Sequence, residues 1–175
     1  MTVSLKYAHV ERERRWLLAT LPELSGAPMA ITDQYLVGTR LRLREVVEGE
    51  TVVRKLGHKV RLDADAGEVA CTNLYLDDAE WALLSGLPAQ VLHKQRWRVV
   101  REGRGVAVDV FDGRLAGLFL AEIDRGSGPD RGLPAGFDAV AEVTVEEAFT
   151  GAALAATSRT GLVAAAAELG VSLPD

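Results

Sequence analysis

From Thr39 to Arg44 the chain reads Thr-Arg-Leu-Arg-Leu-Arg, with arginine and leucine alternating without a fault. Side chains of a β-strand alternate between faces, so Arg40, Arg42 and Arg44 share one face and Leu41 and Leu43 the other. The design recurs. Glu11, Glu13 and Arg15 alternate in this way, as do Lys55, Lys59 and Arg61 with Gly57 between, Lys94, Arg96 and Arg98, and the pair Glu122 and Asp124. On one half-exposed strand a charged face simply meets water. If a sheet of such strands closes on itself, the charged faces line a lumen and the apolar faces pack under helices. Alternation alone leaves open which face turns inward.

Period-two patterns predict strands at His9–Leu17, Ile31–Val37, Thr39–Arg44, Thr51–Leu62, Glu68–Tyr75, Gln90–Arg101, Val106–Phe111 and Leu115–Asp124. Glu48-Gly49-Glu50, Asp65-Ala66-Gly67, Glu102-Gly103-Arg104-Gly105 and Asp112-Gly113 read as turns, and Gly126–Gly132 as a loop. Asp77–Leu84 reads as a short helix with acids in its first turn, where they suit the helix dipole. Thr144–Thr157 and Thr160–Leu169 are alanine-rich and read as two further helices. About eight strands with few helices point to an antiparallel sheet or barrel with helical decoration.

The 175 residues suit one domain with a proper core. A single cysteine, Cys71, rules out an internal disulfide, and no uncharged apolar stretch approaches 18 residues. With no signal-peptide pattern at the N-terminus, the expected setting is soluble and cytoplasmic, with no membrane partner. Twenty Lys and Arg stand against 25 Asp and Glu, a net charge of −5 that disfavours nucleic-acid binding. The charges are segregated, however. Residues 36–61 carry seven basic residues and three acids, and residues 93–104 five and one. Cationic rows beside carboxylates suit a metal-bound polyphosphate, because Arg and Lys hold phosphate oxygens and carboxylates hold Mg²⁺ or Mn²⁺.

Several collinear segments carry a resemblance to a known family. Glu11-x-Glu13-x-Arg15 resembles the ExExK signature of the CYTH superfamily, the triphosphate tunnel metalloenzymes. Gln34-Tyr35-Leu36 with the Arg40–Arg44 strand is similar to "GYL…RxR", and Lys55-Leu56-Gly57-His58-Lys59 to "KLTIK". Leu76-Asp77-Asp78-Ala79 resembles the acidic helix start, Lys94–Arg98 "EKTRY", and Val108–Gly113 "EVDxFxG". Leu115–Asp124 resembles "GLxLAEIE", the most telling stretch, and the matches run in order over residues 9–155.

This resemblance implies an α+β fold over residues 1–175: an eight-stranded antiparallel β-barrel, or tunnel, with peripheral helices and a C-terminal helix at 160–170. It implies a metal-dependent phosphohydrolase acting on a triphosphate, most plausibly inorganic triphosphate, with Mg²⁺ or Mn²⁺. Carried over by position, Glu11, Glu13, Glu122 and Asp124, with Asp109 close behind, become metal ligands. Glu11, Glu13 and Arg15 form the catalytic signature. Arg40, Arg42, Arg44, Lys55, Lys59, Lys94, Arg96 and Arg98 become phosphate ligands. The alternatives are a class IV-type adenylate cyclase and a non-catalytic module that binds triphosphate, polyphosphate or a nucleotide. Homodimer and monomer both stand open.

Three positions depart from the family pattern. The signature lysine is Arg15, a planar guanidinium that keeps the charge and is a poor base. Val69–Tyr75 lacks the alternating acids common on that strand, which weakens a second metal site. Phe149 stands where a tyrosine is frequent near the C-terminal helix. Elsewhere, His9, His58 and His93 show no metal-ligand spacing and read as surface or loop residues. Cys71 reads as a buried small residue, and Trp16, Trp81 and Trp97 as core.

Overall fold

A computed structural model describes residues 6–62, 68–124, 126 and 132–173. Its strands are β1 (His9–Leu18), β2 (Met29–Leu36), β3 (Leu41–Glu48), β4 (Thr51–Arg61), β5 (Glu68–Tyr75), β6 (Ala89–Arg101), β7 (Arg104–Phe111), β8 (Phe119–Asp124) and β9 (Ala139–Glu142). The helices are α1 (Asp78–Ser85), α2 (Gly151–Ala156) and α3 (Arg159–Glu168), with single 3-10 turns at Gly113–Leu115 and Glu147–Phe149.

The sheet runs β5-β4-β3-β2-β6-β7-β8-β1-β9, all neighbours antiparallel, and β5 pairs back onto β1. That pairing closes eight strands into a barrel and removes the free edges an open sheet would present. The seam is shared. His9–Arg12 pairs with β5, and Trp16–Leu18 with the short β9.

Register decides which side chains meet inside. Across the wall, Tyr35 stands opposite Arg42, Asp33 opposite Arg44, Arg44 opposite Lys55, and Arg42 opposite Gly57. The other wall sets Arg96 opposite Asp109, and Arg15 opposite Glu122. One period-two face thus carries the charged rows around the lumen, except on β5, whose inward face of Val69, Cys71, Asn73 and Tyr75 is uncharged. Two residues along, the same face turns apolar: Leu17, Leu92, Phe111 and Leu120 join Phe149, Leu154 and Leu162 in a core cluster that α2 and α3 cover. The C-terminal helices therefore plug one end of the tunnel rather than shield its side wall. The outer apolar face of β1, β6, β7 and β8 (Trp16, Val99, Val106, Val108 and Ala121) is covered instead by Leu24, Leu133 and Phe137 from irregular segments. Fully burying a Leu or Phe contributes about 1.5–3 kcal/mol, and these partly buried ones contribute less.

The structure corrects the sequence reading in several places. Thr39 and Arg40 form a turn, and the strand runs on from Leu41 to Glu48, because Val46 and Val47 continue the alternation into β4's hairpin. Leu115–Leu118 is not strand: a 3-10 turn follows Asp112, and β8 begins at Phe119. Within Thr144–Thr157 only Gly151–Ala156 is α-helical, capped by the Thr150 hydroxyl, which accepts from the Ala153 N–H. Strand β9 is an addition that no alternation announced. His9 and His93 are exposed, as expected, but on strands rather than loops, and His58 is half-buried on β4. Trp81 is not core: α1 buries none of its residues, and the Trp81 ring instead carries the Arg54 guanidinium 5.4 Å from its centroid. The proposed turn Asp65-Ala66-Gly67 and all of the Gly126–Gly132 loop but its two terminal glycines lie outside the described residues.

Candidate active site: a charged tunnel with an apolar inner end

The lumen holds a cavity of about 640 Å³. Eight cationic side chains (Arg15, Arg40, Arg42, Arg44, Lys59, Arg61, Lys94 and Arg96) line it against four carboxylates, Glu13, Asp109, Glu122 and Glu147. Leu92, Phe111, Leu120, Phe149 and Leu154 form its inner end.

On the β6–β8 side the charges are organised around two carboxylates, the buried Asp109 and the part-buried Glu122. Asp109, fully buried, accepts from Lys94 Nζ at 2.5 Å and from Arg96 Nε and Nη2, each at 2.6 Å. Glu122 accepts from Arg15 Nε at 2.7 Å and from Arg96 Nη2. Burial opposes the charge on Glu122, yet Arg96, Arg15 and Lys94 hold its carboxyl well below the usual range. Arg15 is further committed, donating to the Phe149 carbonyl at 3.1 Å. Burial, and then the Arg96 charge, lower the Lys94 ammonium despite Asp109.

The β2–β4 side is built on Asp33, which the sequence reading passed over. It is fully buried and accepts both arms of Arg44, at 2.6 and 2.7 Å, with Arg42 Nε at 3.5 Å. Although burial raises it, Arg44 and Arg42 hold the Asp33 carboxyl at about 2. The available signal was an acid on the same strand face as Ile31 and Tyr35. Tyr35 also lies here, its hydroxyl against Gly151: a Cβ at that glycine would sit 1.9 Å from Tyr35 Oη. At Gly57 a Cβ would press on Asn73 Oδ1 at 3.2 Å, so the glycine makes room for the Asn73 amide. Among the described residues, Arg42 Nε and Asn73 Oδ1 are the buried side-chain polar atoms without a hydrogen-bond partner.

At the β1–β5 seam, Glu11 accepts from Lys59 Nζ at 2.6 Å, and Lys59 also stands 3.7 Å from Glu13. Burial notwithstanding, Lys59 holds the Glu11 carboxyl at about 2. Glu13 pairs across the strands with Asp124, which is exposed and accepts from the Gly126 N–H. Of the other sequence candidates, Lys55 is half-buried beside Arg44. Arg40 is at the cavity rim in a turn, and Arg98 is largely exposed, 3.4 Å from Glu48. Arg61, part of the alternating row with Lys55 and Lys59, lines the cavity, as do Thr144 and Glu147, to which the sequence reading assigned no site role.

The same barrel occurs in solved structures. The chain superposes on the crystal structure of the inorganic triphosphatase NE1496 with a TM-score of 0.55 at 23% identity, covering 84% of this chain and 95% of that one. A second structure of NE1496, described as a hypothetical protein, gives 0.55 at 22% identity over 85% and 99%. The likeness establishes a shared fold, the eight-stranded antiparallel tunnel. No protein-family model and no curated protein sequence matches the chain.

Proposed function

We propose that this protein is a divalent-metal-dependent phosphohydrolase that takes inorganic triphosphate into its tunnel. The observation that carries this reading is the excess of positive charge on the β3–β4 wall. Arg42 and Arg44 share one carboxylate, Asp33, Lys55 stands opposite Arg44, and the buried Arg42 Nε, 3.5 Å from Asp33 Oδ1, has no hydrogen-bond partner. Burial first, and then repulsion from Arg44 and Arg42, push the Lys55 ammonium below its ordinary range. A polyanion placed there relieves it, and forked guanidinium groups match phosphate oxygens. Across the lumen, Lys94 and Arg96 are already fixed by Asp109 and Glu122, so they meet a charged substrate without reorganising.

The donor types suit Mg²⁺ or Mn²⁺: Glu11, Glu13 and Asp124 carry hard oxygen donors on the lumen faces of β1 and β8, and would hold the ion once their side chains, which are not gathered within ligand distance of one another, turn toward it. Bound there, a divalent cation polarises a phosphoryl oxygen and lowers the pKa of water for in-line attack on a terminal phosphorus. Asp109 and Glu122, engaged by guanidinium and ammonium groups, serve in this reading as anchors for the phosphate-binding cations. Arg15 positions Glu122 and neutralises charge, and takes no basic role. NE1496, an inorganic triphosphatase with the same fold, supports this reading.

A second reading keeps the tunnel but not turnover, a triphosphate-binding module. Its support is β5, whose lumen face from Val69 through Cys71 and Asn73 to Tyr75 carries no acid. Orthophosphate release from tripolyphosphate by the wild type and Glu13→Gln separates the two. Hydrolysis that needs Mg²⁺ or Mn²⁺, stops with EDTA and falls at least about 10²-fold in the variant supports the hydrolase. Metal-dependent binding without release by the wild type supports the module.

A further inference from the structure

The β1–β5 seam places three different metal-ligating groups together. His9 and Cys71 are directly opposed across the strands, and Glu11 is next on the same face of β1. One ligand atom from each of His9, Glu11 and Cys71 lies within 4.8 Å of the others, the only such trio among the described residues. His9 Nε2 is already 3.1 Å from Glu11 Oε1. In a tetrahedron with bonds of about 2.0–2.3 Å, neighbouring ligand atoms stand roughly 3.3–3.6 Å apart, so closing the set requires only small side-chain movements. The elements that carry the ligands are tied by the closing ladder of the barrel, which fixes their spacing.

The outer contacts are also in place. Lys59 Nζ donates to Glu11 Oε2, leaving Oε1 toward His9. Asn73 Nδ2 lies 3.4 Å from Cys71 Sγ, and its buried Oδ1 has no hydrogen-bond partner. Partners of this kind orient ligands and tune their basicity. We infer that His9, Glu11 and Cys71 form a binding site for a borderline-soft divalent cation of the Zn²⁺ class, with a fourth position open to water. An imidazole and a sulfur select such an ion over Mg²⁺ or Mn²⁺, which prefer oxygen. The thiol proton passes to solvent when the metal binds, as for any thiolate ligand. The site does not depend on the hydrolase reading, since it is tested by binding rather than turnover. It shares Glu11 with the Mg²⁺ or Mn²⁺ set, so both ions cannot use that carboxylate fully at once.

Titration of the metal-free protein with Co²⁺, followed by Zn²⁺ competition, tests the inference. One equivalent of Co²⁺ should give a thiolate-to-cobalt charge-transfer absorption that Zn²⁺ abolishes and excess Mg²⁺ does not. The band should vanish in Cys71→Ser. In His9→Gln, Zn²⁺ affinity should fall by at least the roughly 10–100-fold that losing even an outer partner costs. His9 is exposed, so this variant decides the matter even if Cys71→Ser does not fold. No sulfur-to-cobalt band in the wild type, or Zn²⁺ affinity unchanged in folded His9→Gln, would overturn the site.

Discussion

At the scale of single residues, Asp33 is the group on which the β2–β4 wall turns. Its burial is tolerable only because Arg44 grips both oxygens. Replacing it with Ala leaves the part-buried Arg44 guanidinium unpaired at the cavity wall, which should cost up to about 3 kcal/mol in urea unfolding. The pH dependence follows from the sign of its shift. Its carboxyl ionises at about 2 in the fold against 3.8 ordinarily, so the stabilisation is complete above about pH 4 and is lost as pH falls toward 2. Wild type should lose about 2 kcal/mol over that interval through this group alone. Asp33→Asn should show a shallower acid limb in the same urea series. Parallel limbs would mean that the Asp33–Arg44 pair contributes nothing to acid lability.

Among the elements, α2 is held by a contact with no slack. Gly151 opens the helix directly on the Tyr35 hydroxyl, so Gly151→Ala should lower stability by about 1–3 kcal/mol through overpacking. Removing the hydroxyl in the Tyr35→Phe background should recover part of that loss, since the Cβ would still stand 3.0 Å from the ring Cζ. A thermal-melt cycle over the four proteins checks the coupling, and additive effects would refute it. This is also where the sequence was least readable. Rows such as Arg40–Arg44 and Lys94–Arg98 announce their faces because period two is unbroken. By contrast, β9 is four residues of Ala, Val and Glu, and its strand state is decided by the vacant edge of β1 beyond β5. Asp33 escaped notice because one acid in an apolar strand has no periodic signature. His9 and Cys71 are 62 positions apart and meet only through the register that closes the barrel.

At the scale of the whole molecule, the barrel converts strand alternation into a tunnel with graded chemistry. Cations crowd the middle, carboxylates gather at the β1–β8 wall, and a greasy plug under α2 and α3 closes one end. A ligand that bridges opposite walls should stabilise the closed barrel as a unit. Tripolyphosphate at a hundred times its dissociation constant should add about 2.7 kcal/mol, read as a rise in Tm, and Arg42→Ala with its neighbour Lys55→Ala should abolish most of it. The most direct measurement of all is orthophosphate release by the wild type from tripolyphosphate, ATP and thiamine triphosphate, each with Mg²⁺, Mn²⁺ or EDTA. The expected result is metal-dependent release that is fastest from tripolyphosphate and absent with EDTA. Absence of release from every substrate, with tripolyphosphate neither hydrolysed nor raising Tm, would contradict a tunnel built for triphosphate.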